Sequence, residues 1–394
     1  LLSVRGEKWR ELSSLLPNVS GAVNQSVTKI DLAALGFRFN FPGVPPVIGP
    51  VGTFDARAYV NMPIFDWHLI QRDRGAQANE SAAHYSYKNV RELVVLSTGN
   101  AYLVTIAAAS RVDAAQAQVE TAQALYNKAH DQQSAGVAPA IDALRAQVEL
   151  QTRQQQLIVT RNDYAKQKLA LARVIGLPPG QEFNLTDKAP YQPLAAMSIE
   201  QALERAYASR ADYRAALEQV RGAERFRQAA IAEHLPSLNF AGSYGAAGVN
   251  AGDARGVFEA GATLAIPVFA GGRAHADRLE ADATLRQAQQ QLANLRGQID
   301  YDVRTALLDL NAAADQVEVA RKSLELANQT LEQARDRFTA GVADNLEVVQ
   351  AQEAVASANE NFIASLYAHN VAKISLARAL GFAEQGAQQY LEKK

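Results

Sequence analysis

The residues that could carry out covalent or metal chemistry are few and scattered in this chain. The chain contains no cysteine, which excludes thiolate nucleophiles, thiolate metal sites and a disulfide framework. Its six histidines show no metal-ligand spacing. The sequence also lacks a phosphate-binding glycine loop and a nucleophile with a paired base. We therefore expect no enzyme activity, no catalytic residue, no metal and no cofactor.

Two carboxylates at matched positions are the first candidates for a functional role. Asp142 follows Gly136 by six residues, and Glu347 follows Gly341 by the same distance. Both lie near a predicted helix start, where a negative charge compensates the helix dipole. A role in a pore is the alternative interpretation, and the positions alone leave both open.

A second polar set alternates with apolar residues along two predicted strands. Asp55, Arg57 and Tyr59 alternate with Phe54 and its even-numbered neighbours, and Glu259 has the same kind of position in a strand near residue 260. A period of two indicates strands with one polar and one apolar face. The polar face would line a barrel lumen, or it would be the solvated face of a small soluble sheet.

Long helices must position these residues. One apolar ladder steps by seven and is followed three residues later by a ladder of small residues, namely Val303, Leu310, Val317, Leu324, Leu331 and Phe338 with Ala306, Ala313, Ala320, Ala327, Ala334 and Gly341. This heptad pattern predicts a long helix packed along a left-handed seam. A matching ladder lies 205 residues earlier, at Ala101, Ala108, Ala115, Ala122, Ala129 and Gly136. The chain is therefore duplicated.

The duplication predicts the domain organisation. We expect a first repeat at 1–176, a linker at 177–198, a second repeat at 199–381 and a carboxyl-terminal tail at 382–394. Each repeat should hold two strands and a helical hairpin. In detail, we predict a helix stopped by Pro17, a strand at 18–29 without strong alternation, a loop at 30–52, and a strand ended by Pro63. Helices should follow at 65–134, 139–175 and 199–234, and in the second repeat up to residue 380.

Composition limits the partners and the location. A net charge of −2 gives no reason to expect nucleic acid, whose binders carry basic patches. The longest uncharged run, 93–110, is interpreted as a packed helix segment and not as a transmembrane helix. The chain starts with Leu1, and the second repeat has about twenty more residues before its matching point. We therefore expect the amino end to be missing, together with any targeting segment or lipidated cysteine.

Four strands in two hairpins cannot close a barrel, since about eight are needed. An open sheet edge in lipid would leave backbone groups without hydrogen bonds. If the apolar face contacts lipid, several chains must share one barrel. A soluble sheet capping a coiled coil is the alternative, although strands of about ten to twelve residues suit a tilted membrane strand.

Several motifs occur twice and in the same order. The strand-to-helix junctions are Pro63-Ile64-Phe65-Asp66 and Pro267-Val268-Phe269-Ala270. The hairpin tips are Ala-Gly-Val-Ala at 135–138 and 340–343, and the helix ends are Leu-Ala-Arg-x-x-Gly at 171–176 and 376–381. In these features the chain resembles outer-membrane efflux proteins of the TolC type, over nearly its whole length.

The resemblance implies a fold, a location and partners. The fold would be mainly α with a small β part, a homotrimer whose twelve-stranded barrel in outer-membrane lipid continues as a long α-helical barrel in the periplasm. The partners would be a periplasmic adaptor and an inner-membrane pump of the RND or ABC class, and the function would be drug efflux or type I secretion. A periplasmic adaptor or a purely structural coiled coil is the alternative. The substrate and the pump class stay open.

The resemblance also assigns sites. The residues after the second tip would form the periplasmic gate, here Leu346, Glu347 and Gln350, with Asp142 as the matched carboxylate. The family usually has aspartate at the last of the three positions, so Gln350 favours a leucine constriction with one acidic ring. Asp55, Arg57, Tyr59 and Glu259 would line the barrel lumen. Adaptor docking is expected at the tips Ala135, Gly136, Val137, Ala138, Ala340, Gly341, Val342 and Ala343, although a glycine that only caps a helix would also account for Gly136 and Gly341.

Overall fold

A computed structural model describes residues 1–32, 34, 36, 47–178, 180–186, 191–195 and 197–386. Most of the predicted loop 30–52, part of the predicted linker and most of the predicted tail lie outside these residues. Within the described residues, seven α-helices and four strands run in the order α1 Leu2–Ser13, β1 Asn18–Asp31, β2 Val47–Phe65, α2 Trp67–Ser134, α3 Ala140–Ile175, α4 Ile199–Ser209, α5 Ala211–Ala232, β3 Ser237–Gly248, β4 Arg255–Ala265, α6 Arg273–Thr339 and α7 Asn345–Ala379.

The four strands form one antiparallel sheet in the order β1-β2-β3-β4. Both outer strands, β1 and β4, therefore have a free edge within this chain. The predicted alternation in β2 and β4 is confirmed, because the register aligns Ala58 with Tyr244 and Tyr244 with Phe258. Tyr244 is 74% exposed and Phe258 is 80% exposed, so the apolar face of the sheet is uncovered in the single chain.

The expectation that β1 lacks alternation is wrong. Its register places Ser20 opposite Tyr59, on the polar face, and Val19 opposite Val60, on the apolar face. Val23 and Val27 follow Val19 at even spacing and are exposed. The alternation of β1 is weak in the sequence because Gly21 and the polar Gln25 lie on its apolar face, whereas the apolar Ala22 lies on its polar face.

Two predicted boundaries are also wrong. β1 extends to Asp31 and β2 begins at Val47, so the hairpin loop is shorter than 30–52. Pro63 does not open the next helix, because β2 continues to Phe65 and Pro63 lies at a register shift against β3. A proline lacks the backbone N–H and is tolerated at such an irregularity. Helix α2 begins instead after Asp66, whose carboxylate accepts a hydrogen bond from the Leu69 N–H at 3.1 Å.

The predicted helix 199–234 is two helices. The chain breaks at Arg210, which has φ −60° and ψ 122°. The Arg210 side chain is 4% exposed and binds Asp212 and Asp302 at 2.7 and 3.0 Å. The extended backbone turns this guanidinium toward its two carboxylates, and no proline or glycine marks the break in the sequence.

The chain divides into two compact units, Leu1–Ser86 with Arg214–Asn294, and Tyr87–Tyr213 with Leu295–Lys394. Each unit combines parts of both predicted repeats, whose boundaries remain a prediction. The first unit contains the sheet. The second contains both hairpin tips and most of the heptad seam, where Val303 is fully buried and Val317 is 1% exposed. Burying one such side chain stabilises a fold by about 1.5 to 3 kcal/mol.

In the described part of the chain, one helix, α2, contains an 18-residue window that is apolar enough to cross a membrane by length and composition alone. A single stretch of this kind is weak evidence for a transmembrane helix, because the core helix of a soluble protein passes the same test. Leu103 and Ile106 are 2% and 3% exposed, but only 28% of the apolar window is buried, so the interpretation of the run 93–110 as a packed helix segment stays a prediction.

Candidate functional site

The two hairpin tips have the same backbone turn. Gly136 has φ 71° and Gly341 has φ 72°, a left-handed conformation that costs glycine little. At the first tip, the N–H of Val137 donates to the carbonyl of Gln132 at 3.0 Å, and at the second the N–H of Val342 donates to Arg337 at 3.0 Å. Together with the bonds of the glycine N–H groups, this is the Schellman arrangement that ends a helix.

The side chains at the tips are open to solvent. Val137 is 75% exposed and Val342 is 67% exposed, whereas neither tip glycine has an atom within 4 Å of an added Cβ. Ala135 and Ala340 are also exposed, and Ala138 and Ala343 are half-buried. The tips therefore present two uncovered valines on a small-residue surface.

The helices that follow the tips begin differently. Helix α3 begins after Pro139, which offers no side-chain cap. Helix α7 begins after Asp344, whose carboxylate accepts a hydrogen bond from the Glu347 N–H at 3.3 Å. An aspartate cap of this type stabilises a helix by about 1 kcal/mol. The two starts thus have the same place in the repeat and different chemistry.

Asn345 joins the two hairpins, and the sequence analysis did not identify it. Its side chain is 0% exposed, and its Nδ2 donates to the backbone carbonyl of Asp142 at 2.9 Å. Asp142 itself is 9% exposed and lies 3.8 Å from Arg145. The signal that could have found Asn345 is the difference between the repeats, Asp344-Asn345 against Pro139-Ala140.

Of the other predicted gate residues, two are exposed and one is half-buried. Leu346 is 43% exposed, Gln350 is exposed and Glu347 is half-buried. Glu347 forms an ion pair with Arg337 at 3.1 Å, across the tip from α7 to α6. The structure thus brings Asp142 into the chain interior and leaves Leu346 and Gln350 on the surface.

On the sheet, the predicted polar residues share one face. The register aligns Ser20, Tyr59, Ser243 and Glu259 in one continuous row across all four strands. Ser20 and Ser243 were not predicted, because serine is also common in turns and its polarity alone gives weak evidence. The row makes one face of the sheet polar from edge to edge.

A second polar pair lies beside this row. Asp55 and Arg57 form an ion pair at 2.6 Å, with side chains 32% and 25% exposed. Asp55 lies opposite Asn24 on β1, and its row ends at Arg255 on β4. Among the described residues, no group of three or more His, Cys, Asp or Glu side chains could hold a metal ion. The polar face therefore offers groups of both charge signs and hydroxyl groups for contact with water.

Comparison with known proteins gives one consistent result. The outer membrane efflux protein family matches residues 14–177 and 202–382. The outer membrane protein TolC of Salmonella enteritidis is 21% identical over 324 residues, which cover 78% of this chain and 65% of that relative. The chain thus spans less than two thirds of the length of that TolC. The alkaline protease secretion protein AprF of Pseudomonas aeruginosa is 22% identical, over 90% of this chain and 74% of its own length.

A solved structure shows the same fold. The outer membrane protein VceC of Vibrio cholerae is similar with a TM-score of 0.77 and 18% identity, over 96% of this chain and 90% of that one. The expected fold class, mainly α with a small β part as in outer-membrane channels, is therefore confirmed. The family match covers most of the chain, and the chain belongs to the outer membrane efflux protein family and is an outer-membrane protein.

Proposed function

We propose that the chain is one of three copies that form a passive exit channel of a tripartite efflux or type I secretion system. The observation that carries this proposal is the sheet, which has an exposed apolar face, a polar face and two free edges. The family is described as outer membrane efflux proteins, which supports a passive role in export. The two equivalent hairpins favour this proposal over a periplasmic adaptor.

A conduit needs more than two copies of this chain. Two copies would provide eight strands, and the interior of an eight-stranded barrel is filled by side chains. Three copies would provide twelve strands and leave room for a lumen. In this arrangement β4 of one copy pairs with β1 of the next, which satisfies the free backbone groups in lipid.

The polar face would then line the lumen. The row of Tyr59, Ser243 and Glu259, together with Asp55 and Arg57, would meet water there. Val23, Tyr244 and Phe258 would meet lipid. A lumen with both charge signs and hydroxyl groups selects weakly, so we assign the choice of cargo to the pump.

The hairpin tips are proposed as the docking surface for a periplasmic adaptor that links the channel to an RND or ABC pump in the inner membrane. The adaptor would contact Ala135, Gly136, Val137 and Ala138 at the first tip and Ala340, Gly341, Val342 and Ala343 at the second. Two valines exposed at matched positions support this assignment. Helix capping alone would account for the glycines but not for the repeated Val-Ala after them.

The gate is proposed to be built from Leu346, Glu347 and Gln350 at the start of α7, next to the second tip, where Leu346 and Gln350 are exposed and Glu347 is half-buried. Asp142 contributes through its backbone carbonyl, which holds Asn345 and so fixes the start of α7. Docking at the tips would spread the hairpins and strain this contact. The ion pair of Glu347 with Arg337 would stabilise the closed position of the tip.

The first test measures the assembly and the lipid face. Native mass spectrometry in detergent should give a trimer, and a stable monomer with intact strand content would contradict the proposal. Ala262→Arg and Thr263→Arg form a matched pair, because Ala262 lies opposite Phe240 and Thr263 lies opposite Asn239. A charge at the bilayer midplane costs about 2 to 4 kcal/mol on the lipid face. Only Ala262→Arg should block membrane assembly, and equal effects would indicate a soluble sheet.

The second test separates docking from gating. Val137→Asp combined with Val342→Asp should leave the trimer intact and abolish efflux, since both side chains are exposed and make little contribution to folding. Leu346→Ser combined with Glu347→Ser should raise the conductance of the isolated channel in planar bilayers. Normal efflux by the valine variant would remove the docking assignment. An unchanged conductance of the second variant would place the constriction elsewhere.

A further inference from the structure

Helix α3 carries a stripe of exposed residues on the side that faces away from the core of the chain. Leu150 and Leu157 on the core side are buried, whereas Ile158 and Leu169 on the other side are exposed. The α3 stripe, whose members are all exposed, consists of Gln151, Gln155, Ile158, Asn162, Ala165 and Leu169. Their spacing alternates between four and three residues, which is the a/d spacing of a helix that packs along a second seam.

Helix α6 carries a second stripe of the same kind. Leu310 and Val317 are buried in the core, whereas Leu308 and Val319, on the opposite side of the helix, are exposed. The α6 stripe, again with every member exposed, consists of Leu308, Ala312, Asp315, Val319, Lys322 and Leu326. Each of these two helices thus packs along one seam inside the chain and has a further heptad seam that the chain leaves uncovered.

The other two long helices have no comparable stripe. In the described part of the chain, α2 exposes no large apolar side chain after Val94, and α7 exposes only Leu346, next to the tip. All four helices meet in one buried cluster, to which α2, α3, α6 and α7 contribute Leu125, Ala143, Leu331 and Val348. Packing within one chain therefore covers the apolar residues of α2 beyond Val94 and of most of α7, but not those of α3 and α6.

The two stripes are complementary when they are read in opposite directions. Helix α3 leads away from the first tip and α6 leads toward the second, so in two copies with tips at the same height these helices run antiparallel. Ile158 and Val319 each lie 22 residues from the tip glycine of their hairpin. For Leu169 and Leu308 this separation is 33 residues. The same register sets Ala165 against Ala312, Asn162 against Asp315, Gln155 against Lys322 and Gln151 against Leu326. Apolar residues thus meet apolar residues and polar residues meet polar ones in every layer except the one nearest the tips.

We propose that the α3 stripe of one copy packs against the α6 stripe of the next copy, antiparallel and in this register. The inference rests on the proposed channel of three copies and names the helices that join them. Ile158 would pack on Val319, and the next apolar layer would be formed by two leucines. Ala165 and its partner alanine would let the two backbones approach closely between these layers, as small residues do at a helix seam.

The polar layers set the register of this seam. Asn162 would donate from Nδ2 to the Asp315 carboxylate, and Lys322 would donate to Oε1 of Gln155. Polar residues at a seam position specify register, because a shifted alignment places them against apolar side chains. A shift of the α6 stripe by one heptad would set Asn162 or Asp315 against a leucine, depending on its direction. The shifted alignment is unfavourable because it leaves a buried polar group without a partner.

Cross-linking tests the seam, and introduced thiols have no background because the chain contains no cysteine. When the detergent-solubilised trimer is oxidised, Ala165→Cys combined with Ala312→Cys should form disulfides that join neighbouring copies. A nonreducing gel should then show covalent dimers and trimers that a reductant converts to monomers. The control, Ala165→Cys with Thr305→Cys, moves the second thiol by one heptad, about 10 Å along the helix, which is beyond the reach of a disulfide. It should stay monomeric on the gel.

The outcomes separate the seam from the proposed function. Native mass spectrometry before oxidation reports whether the cysteine variants are trimers. An intact trimer that forms no covalent species, or that forms them equally with both cysteine pairs, would overturn the seam and leave the proposed channel in place. A stable monomer would contradict the proposed channel and the seam together.

An exchange of side chains tests one polar layer. Asn162→Asp sets a second carboxylate against Asp315 and should lower the temperature at which the trimer dissociates by several degrees, because like charges repel. Addition of Asp315→Asn exchanges the two side chains across the seam and should restore most of this loss. Gln156→Asp, at an exposed position of α3 outside the stripe, is the control and should have little effect. Circular dichroism checks the helix content. If the exchanged variant dissociates at the same temperature as Asn162→Asp alone, the assignment of this layer is wrong.

Discussion

The two helix ends that carry the motif Leu-Ala-Arg-x-x-Gly have the same sequence pattern and very different surroundings. In the first repeat, Arg173 is exposed and forms no ion pair within the described residues. In the second, Arg378 binds the side chains of Asn89 and Glu92 at 2.6 and 3.4 Å. Duplication therefore copied the motif, but only one copy became part of a buried charge network.

The glycines of the two motifs differ in the same way. Gly176 has φ 75° and Gly381 has φ 77°, so both need a residue that tolerates the left-handed region. An added Cβ at Gly176 would meet nothing within 4 Å, whereas at Gly381 it would lie 2.6 Å from the backbone nitrogen of Arg210. One glycine is required by its backbone conformation alone, and the other also by the close approach of a second chain segment.

The charge network around Arg378 includes groups with opposite pKa shifts. Burial would raise the pKa of Asp212, but the hydrogen bonds and the charge of Arg210 outweigh it and lower that pKa. Burial raises the pKa of Glu92 although Arg378 opposes this. In this network, neighbouring cations more than offset the cost of burying the Asp212 charge, whereas they do not offset the cost of burying the Glu92 charge.

The largest expected difference in stability between variants of the two helix ends comes from substituting the arginines. Arg378→Ala leaves Glu92, which is 1% exposed, without its cation, and removal of one partner of a buried pair costs about 3 to 5 kcal/mol. Arg173→Ala changes an exposed residue and should alter stability by at most about 0.5 kcal/mol. Denaturant unfolding of the two variants measures the difference. Equal losses would mean that Arg173 is buried in the assembled protein.

The glycines should give the next largest difference. Alanine at either position costs about 1 to 2 kcal/mol because of the left-handed backbone. Gly381→Ala should cost about 1 to 3 kcal/mol more, since its Cβ overlaps the Arg210 backbone. Thermal unfolding of Gly176→Ala and Gly381→Ala tests this. If the two variants have the same melting temperature, the contact between Gly381 and Arg210 does not limit the packing.

The tips allow a smaller comparison. Asp344→Ala removes the side-chain cap of α7 and should cost about 1 kcal/mol. Pro139→Asp, combined with Asp344→Ala, introduces a similar cap at α3 and should recover a part of the lost free energy of unfolding. Hydrogen exchange of the first turn of each helix reports the change locally. Unchanged exchange in α7 after Asp344→Ala would mean that tertiary contacts, and not the cap, hold its first turn.

The smallest expected effect is the pH dependence of the second helix end. The pKa of Asp212 is lower in the folded than in the unfolded chain, so its contribution is present above about pH 4, near the unfolded value, and is lost as the pH falls. Asp212→Asn should therefore flatten the acid side of the stability curve. The raised pKa of Glu92 acts in the opposite sense, because its contribution is lost as the pH rises. An unaltered acid slope in Asp212→Asn would show that other carboxylates dominate it.

Local patterns in the sequence predicted the long helices, the hairpin tips and the strands β2 and β4, but not the break between α4 and α5 or the ends of β1 and β2. The heptad ladder predicted the long helices because an apolar position repeated every seven residues is typical of helices packed along a seam. Alternation predicted β2 and β4, and the register confirmed that Tyr59 and Glu259 share one polar row. Glycine after each ladder predicted the tips, and both glycines have the expected positive φ. The assigned roles of Asp142, Glu347 and the tip residues remain predictions.

The features that depend on distant residues could not be predicted from these patterns. At the break, the Arg210 guanidinium binds Asp302, 92 positions away, as well as its near neighbour Asp212. Asn345 is buried because α3 places the Asp142 carbonyl beside it, and Gln352 is buried whereas the matching Gln147 is exposed. Periodicity and capping act within a few residues of the chain, so they are visible in the sequence. Which copy of a duplicated residue becomes buried depends on which helix packs against it, and only the tertiary structure decides that.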